Sequence, residues 1–258
     1  MTSIAEQALL FAIALSANTL SAIAGGGSGL LQLPALIFLG LPFSVALATH
    51  KIATVALGAG ATLKHLKNQS TDWRFSLLIL AAGLPGVVLG AKLILRLPEQ
   101  TAKALLGLLT IALGIYSLLK KQLGQRYSPK HGDLSGHLCG GTGLFIIAVL
   151  NGSLASGTGL FVTLWLIGWY GLDYKRATAY TMILVGLFWN GAGALTLSVL
   201  TPLKWQWLPA LILGSLLGGY LGAALAIKYG NPLIKRLFEA VTISVGVSLL
   251  IGVAHNSI

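Results

Sequence analysis

Two short stretches carry the residues best suited to hold a ligand. Gly25-Gly26-Gly27-Ser28-Gly29 and Gly157-Thr158-Gly159 each set a hydroxyl residue among glycines inside an otherwise apolar run. Glycine costs about 1 kcal/mol relative to alanine in a helix interior, so each cluster should end one helix and open another. Ser28 and Thr158 are then expected to cap the helices that follow. The start of a helix offers free N–H groups and the positive end of the dipole, which together favour an anion. The competing reading is that such glycines only let helices approach closely, as small residues do in membranes. That reading suits Gly86, Gly90, Gly218 and Gly222. Unbroken helices pack without a triple-glycine break, so Gly25–Gly29 and Gly157–Gly159 are assigned to a site.

Further candidates sit nearby in the chain. Lys51 falls two turns into the apolar segment that begins at Phe43, about 12 Å from its start at ~1.5 Å per residue. A charge at that depth usually faces a cavity, although a lysine can also snorkel to the interface, and both readings stay open. Lys92, one turn from its segment end, fits snorkelling. His50 points about 100° away from Lys51 on a helix and is either a proton-coupling group or a satisfied structural histidine. Asn151, Asn190 and Gln32, all in apolar runs, could bond a substrate or a neighbouring helix. Glu6, Asp72, Glu99, Asp133, Asp173 and Glu239 all lie near segment ends or in loops. A buried carboxylate for a cation is therefore not expected. One cysteine, Cys139, allows neither an intramolecular disulfide nor a thiolate metal site, and nothing calls for a metal or a cofactor.

The elements that must position these residues are membrane spans. Of 258 residues 55% are hydrophobic and only 9% charged, with a mean hydropathy of +0.84. Soluble domains carry about a quarter charged residues. Apolar segments run over Ile4–Ala24, Leu30–Leu39, Phe43–Leu63, Phe75–Leu95 and Ala104–Leu119, and, after a polar stretch, over His137–Leu150, Leu160–Tyr170, Ala177–Leu200, Leu208–Ile227 and Leu233–Val253. Several are close to the ~20 residues that cross a bilayer as a helix, and none shows the short alternation of a β-barrel. Met1–Leu20 contains Glu6 and no Lys or Arg, so it lacks the basic region of a cleaved signal peptide and reads as a retained first span. The net charge of +11 lies in short loops rather than along one face, which argues against nucleic acid.

The chain is internally duplicated. Ser21–Leu30 aligns with Asn151–Leu160 without gaps, Gly86–Ala91 with Gly218–Ala223, and Lys103, Thr110-Ile111 and Gly114 with Lys235, Thr242-Ile243 and Gly246. If each Gly-broken segment returns the chain to the side it came from, Lys64, Lys67, Arg74, Lys120, Lys121, Arg126, Lys130, Lys175, Arg176, Lys228, Lys235 and Arg236 share one side, against Arg96, Lys103 and Lys204. The larger group marks the cytoplasm and puts both termini outside. The expected architecture is thus an all-α integral membrane protein of two inverted repeats, residues 1–119 and 137–258. Each holds full spans plus a Gly-broken helix pair, and a cytoplasmic loop, 120–136, joins them. Inverted repeats are a common transporter plan, and short Gly-interrupted segments at matching positions point to its site.

These residues also resemble a known family. Gly25–Gly29, Pro34, Gly40-Leu41-Pro42 and Val45-Ala46-Leu47-Ala48-Thr49, with a weaker echo in Gly171-Leu172-Asp173 and Lys175-Arg176-Ala177, are similar to the sulfite exporter TauE/SafE family. His50-Lys51 departs from that pattern, where small or hydroxyl residues would follow Thr49. The resemblance implies a bacterial inner-membrane permease for sulfite, a sulfonate, sulfoacetate or a related anion, with the bilayer and that anion as partners; a homo-oligomer is compatible with it. Two rivals remain. One is a passive anion channel. The other is an intramembrane serine protease, for which Gly26-Gly27-Ser28-Gly29 supplies a Gly-x-Ser-Gly motif and His50 a base. The second half has Thr158 in place of the serine and no histidine matching His50, which suits a two-fold pathway better than a catalytic dyad.

Overall fold

The structure is a computed structural model that describes residues 3–66, 72–93, 99–154 and 157–255. Lys67, Arg96, Ala155 and Ser156 of the sequence argument lie outside the described residues. The described chain is all helical: α1 Ile4–Ala24, α2 Ser28–Phe38, α3 Phe43–His65, α4 Trp73–Leu93, α5 Glu99–Leu119, α6 Leu134–Leu154, α7 Thr158–Gly168, α8 Tyr174–Tyr180, a π segment Thr181–Trp189, α9 Asn190–Leu200, and α10 Leu208–His255 after a 3-10 turn at Trp205–Trp207. Among the described residues six helical runs are long and apolar enough to cross a membrane. The protein is an all-α, multi-pass membrane protein.

Length distinguishes two kinds of helix. α1, of 21 residues, reaches about 31 Å and can cross the hydrocarbon core. α2 and α7 have 11 residues each and reach about 16 Å, half of it. α10 is 48 residues long, about 72 Å if straight, which is twice what a crossing needs. Gly230, at φ 72°, breaks it into two arms, 208–229 and 231–255, with Pro232 opening the second. These arms match the two apolar segments of the sequence.

Small residues set the packing. An added Cβ on Gly86 of α4 would come within 2.7 Å of the Phe145 carbonyl of α6, and one on Gly218 of α10 within 2.7 Å of the Leu15 carbonyl of α1. Gly90 and Gly222 make still closer backbone contacts one turn on. The four glycines assigned to packing therefore serve it. The contacts are also reciprocal: the glycine-bearing helix of each half packs on the opening helix of the other. Likewise Gly114 of α5 meets Thr242 of the second arm of α10, while Gly246 of that arm meets the Gly107 carbonyl. Between these pairs α3 crosses the π segment at Gly58 and Gly186. Backbone-to-backbone approach of this kind replaces the hydrophobic drive that lipid cannot supply.

Candidate functional site

The two glycine clusters meet at the centre of the molecule. Gly25, Gly26 and Gly27 all adopt positive φ, at 84°, 141° and 102°, and Gly157 does so at 72°. A Cβ on Gly26 would stand 2.5 Å from the Gly159 carbonyl carbon and 2.6 Å from the Leu160 nitrogen. A Cβ on Gly159 would stand 2.9 Å from Gly26 Cα. No side chain fits between the breaks, and α2 and α7 start from nearly one point.

The caps differ from expectation. Gly27 and Gly157 occupy the N-cap positions, with no side-chain cap, while Ser28 and Thr158 are the first helical residues. The reason is conformational: the cap residue here is left-handed, which glycine adopts without the steric cost a serine or threonine would bear. Neither Gly27 nor Gly157 makes a side-chain cap bond, and a bound anion can take the capping role at a helix start.

A small cavity lies between the breaks. Gly26, Gly27 and Ser28 line it from the first, Asn151, Thr158 and Gly159 from the second. His50 and Thr54 of α3, Ser21 of α1 and Thr181, Gly186 and Asn190 of the π region complete the polar wall. On α3 the wall runs from His50 to Leu57, and on the run 174–200 from Thr181 to Asn190. Both stretches are central in their spans, so the cavity sits about halfway along them. Its volume is about 20 Å³. That accommodates about one water; any larger ligand requires the helices to part.

Lys51 lies behind this wall rather than on it. Its side chain is 1% exposed and passes Gly193, where an added Cβ would be 3.5 Å from Lys51 Cε. The ammonium donates to the Asn151 carbonyl at 2.9 Å, to Asn151 Oδ1 at 2.8 Å and to Asn190 Oδ1 at 3.0 Å. Snorkelling to the interface is thereby replaced by a fixed buried position. A lysine has three donors and no acceptor, so both amides must turn their oxygens to it and their NH2 groups away. Asn151 Nδ2 accordingly donates to Thr158 Oγ1 at 2.8 Å. Among the described residues no carboxylate pairs with Lys51; the ion pairs are Arg176–Asp173 and Lys235–Glu239. The wall thus combines amides held by a buried lysine behind them with two helix starts that carry no side-chain cap.

The other candidates divide. His50 is 1% exposed and on the wall, with Nδ1 unpartnered among the described residues. Ser28 and His50 share the wall without a hydrogen bond between them. Gln32 is buried off the wall, its Oε1 accepting from Asn18 Nδ2 at 3.0 Å. Gly25 lies beneath the break, its carbonyl accepting from Thr163 Oγ1 at 2.7 Å, and Gly29 is not on the wall. The expectation that no carboxylate is buried fails at two places: Asp173, the N-cap of α8, is buried and pairs with Arg176, and Glu239 is largely enclosed. Glu239 is an internal residue of α10, its side chain 12% exposed, paired with Lys235 at 2.6 Å and accepting from Ser117 at 2.9 Å. Its place near a segment start hid the burial that α5 and α8 impose. It does not line the cavity.

Sequence reasoning missed Ser21, Thr54, Thr181 and Gly186 as wall residues. Ser21 was within reach, because the repeat alignment pairs it with Asn151. The π segment has no local signature, although such segments gather at functional sites.

Known proteins are similar to this chain over most of its length. A protein of Sinorhizobium sp, "Probable membrane transporter protein ORF9", is 29% identical over 96% of this chain and 94% of its own length. A "Probable membrane transporter protein" of Haemophilus influenzae is 29% identical over 89% of each chain. "Probable membrane transporter protein YfcA" of Escherichia coli K12 is 27% identical over 94% of this chain and 88% of its own. No solved structure matches. The profile described as "Sulfite exporter TauE/SafE" matches residues 10–249, nearly the whole chain. The protein is a membrane transporter and belongs to the sulfite exporter TauE/SafE family.

Proposed function

We propose that this protein is a secondary transporter of a small sulfur-containing anion, such as sulfite, a sulfonate or sulfoacetate, across the bacterial inner membrane. The observation that carries the reading is the buried Lys51 ammonium, which has no acidic partner among the described residues and forces two wall asparagines to present donors. An anion entering such a wall supplies the negative charge that Lys51 lacks and further acceptors for the amide N–H groups. A cation would meet donors and a positive charge. The anion sits between the uncapped starts of α2 and α7, and alternating access moves the two halves about it. Residues 4–119 and 137–253 form these halves, inverted with respect to each other, with the 120–136 loop cytoplasmic and both termini periplasmic. The division of basic residues and the reciprocal helix packing support this arrangement.

A passive anion channel would use the same wall. Sulfite flux into proteoliposomes separates the two: a carrier accumulates sulfite against its gradient when a proton gradient is imposed, whereas a channel only equilibrates it. Failure of sulfite, sulfoacetate and taurine alike to move or to stabilise the purified protein would remove the sulfur-anion reading. Orientation is tested with Ser128→Cys in a Cys139→Ala background, because Cys139 is itself exposed. Labelling of that cysteine only from the cytoplasmic face is expected; labelling only from outside reverses the topology.

A further inference from the structure

A second cavity, of about 530 Å³, opens at the basic end of the molecule between the start of α4, the 120–133 loop, the start of α6 and the turn after α7. It shares no residue with the central site. We propose that it binds the headgroup of an anionic phospholipid from the surrounding bilayer.

Charge is the first reason. Arg74 and Lys130 line the cavity, and their side-chain nitrogens have no ion-pair or hydrogen-bond partner among the described residues. The one acid on the wall, Asp72, is occupied in part by the Arg74 backbone N–H, at 2.8 Å. Two cations against one carboxylate leave a site that attracts a phosphodiester.

Polar groups deeper in the wall suit the rest of a headgroup. The Tyr170 hydroxyl, on a residue 4% exposed, and His137 Nδ1 are both buried without a partner among the described residues. Both atoms are enclosed, the Tyr170 hydroxyl against Gly140 of α6, so each bonds a glycerol hydroxyl or a phosphate oxygen once its side chain turns toward the cavity.

Position and shape select a lipid over a soluble anion. α4 opens with Trp73, 65% exposed, and the Arg74 guanidinium lies 5.5 Å from that ring. Trp and Tyr gather where spans meet water, so the cavity stands at headgroup level. Below the charges, Phe75 meets Tyr170 and Tyr180 edge-on at 4.8 and 5.1 Å, and Leu78 continues this apolar wall along the span Trp73–Leu93. An acyl chain can follow that wall, and a free phosphate has no use for it. Basic pockets between helices at a membrane face are known to take anionic headgroups in this way.

The test is lipid retention. Purified protein is exchanged from phosphatidylglycerol or phosphatidylcholine into mild detergent, and bound lipid per chain is counted by native mass spectrometry. The wild type and a Lys228→Gln control, on the same end but off the cavity wall, are expected to retain phosphatidylglycerol and release phosphatidylcholine. Arg74→Gln with Lys130→Gln should lower retention at least about tenfold, given the worth of two basic groups at a charged membrane face. Tyr170→Phe should lower it by about threefold, and it decides the matter if the double variant melts early, since the loss of one hydroxyl bond is a small change. Equal retention of both lipids, or unchanged retention in these variants, overturns the proposal. Displacement of phosphatidylglycerol by inorganic phosphate at similar concentration also overturns it and makes the cavity a soluble-anion site.

Discussion

The two helix breaks share a backbone plan and differ in what surrounds it. Beside the first, Ser21 reaches the cavity wall, and one turn out Asn18 Nδ2 lies 3.0 Å from Gln32 Oε1 and 2.9 Å from Ser215 Oγ. Beside the second, the positions aligned with Ser21, Asn18 and Gln32 are Asn151, Ala148 and Val162, and the last two are buried in apolar core. Trp189 fills the space next to Gly83, the counterpart of Ser215. The charge is equally one-sided. Lys51 of α3 bonds Asn151 and Asn190, while the residues matching Lys51, around Met182, include no base. The repeated sequence thus gives a near-symmetric frame of half-helices in which the Lys51 charge, the one the proposed anion site uses, lies on one side. In the proposed site the first break would contribute space and N–H groups, and the second the Asn151 amide that Lys51 anchors.

The frame itself should be the most sensitive part. Gly26→Leu and Gly157→Leu are each expected to abolish sulfite flux into proteoliposomes. The first leaves no room against Gly159, and the second forces a left-handed residue to carry a side chain at a cost of roughly 1–2 kcal/mol. Full flux in Gly157→Leu would remove the second half-helix from the site and leave a one-sided mechanism.

Matched substitutions at the aligned pair sharpen the contrast. Asn151→Leu strips Lys51 of a side-chain acceptor and should weaken sulfite binding at least about tenfold, about 1.4 kcal/mol. Ser21→Ala, at the equivalent place, should change it by less than about threefold, the worth of one ordinary hydrogen bond. Equal effects in isothermal titration would mean that the asymmetry is without consequence for binding.

Ser28→Ala should have the smallest effect. Its hydroxyl makes no cap bond, so flux is expected to stay within about threefold of wild type, the scale of one neutral hydrogen bond. Complete loss, together with peptide-bond cleavage by the wild type, would favour the protease reading of Ser28 and His50.

What was legible in the sequence follows from the range of the forces involved. Helix breaks at Gly25–Gly27 and Gly157 are local consequences of glycine, and the repeat alignment tied them to each other. Packing by Gly86, Gly90, Gly218 and Gly222 was legible because small residues at helical spacing have few other uses in a membrane. The direction of Lys51 was not, because its acceptors lie 100 and 139 residues away in the chain. For the same reason Glu239 looked terminal, although Ser117 and Lys235 enclose it. The cap misreading has a different origin: serine is the better general cap, but a left-handed cap position excludes it in favour of glycine. Nothing in Thr181–Trp189 announces a π segment, which approaches α3 closely at Gly58 and Gly186.

If the Lys51 charge, relayed through Asn151 and Asn190, makes this cavity an anion site, removing that charge must weaken anion binding. Sulfite affinity of Lys51→Met, measured by titration on protein whose melting profile shows it folded, tests that claim most directly. Methionine keeps the bulk and removes the charge, and Lys51→Arg, which keeps the charge, serves as the reference for a fold-preserving change. Sulfite binding at least about tenfold weaker, about 1.4 kcal/mol, is expected in Lys51→Met. Unchanged affinity in a folded Lys51→Met protein would contradict it, leaving Lys51 as a helix-to-helix tether with no part in binding.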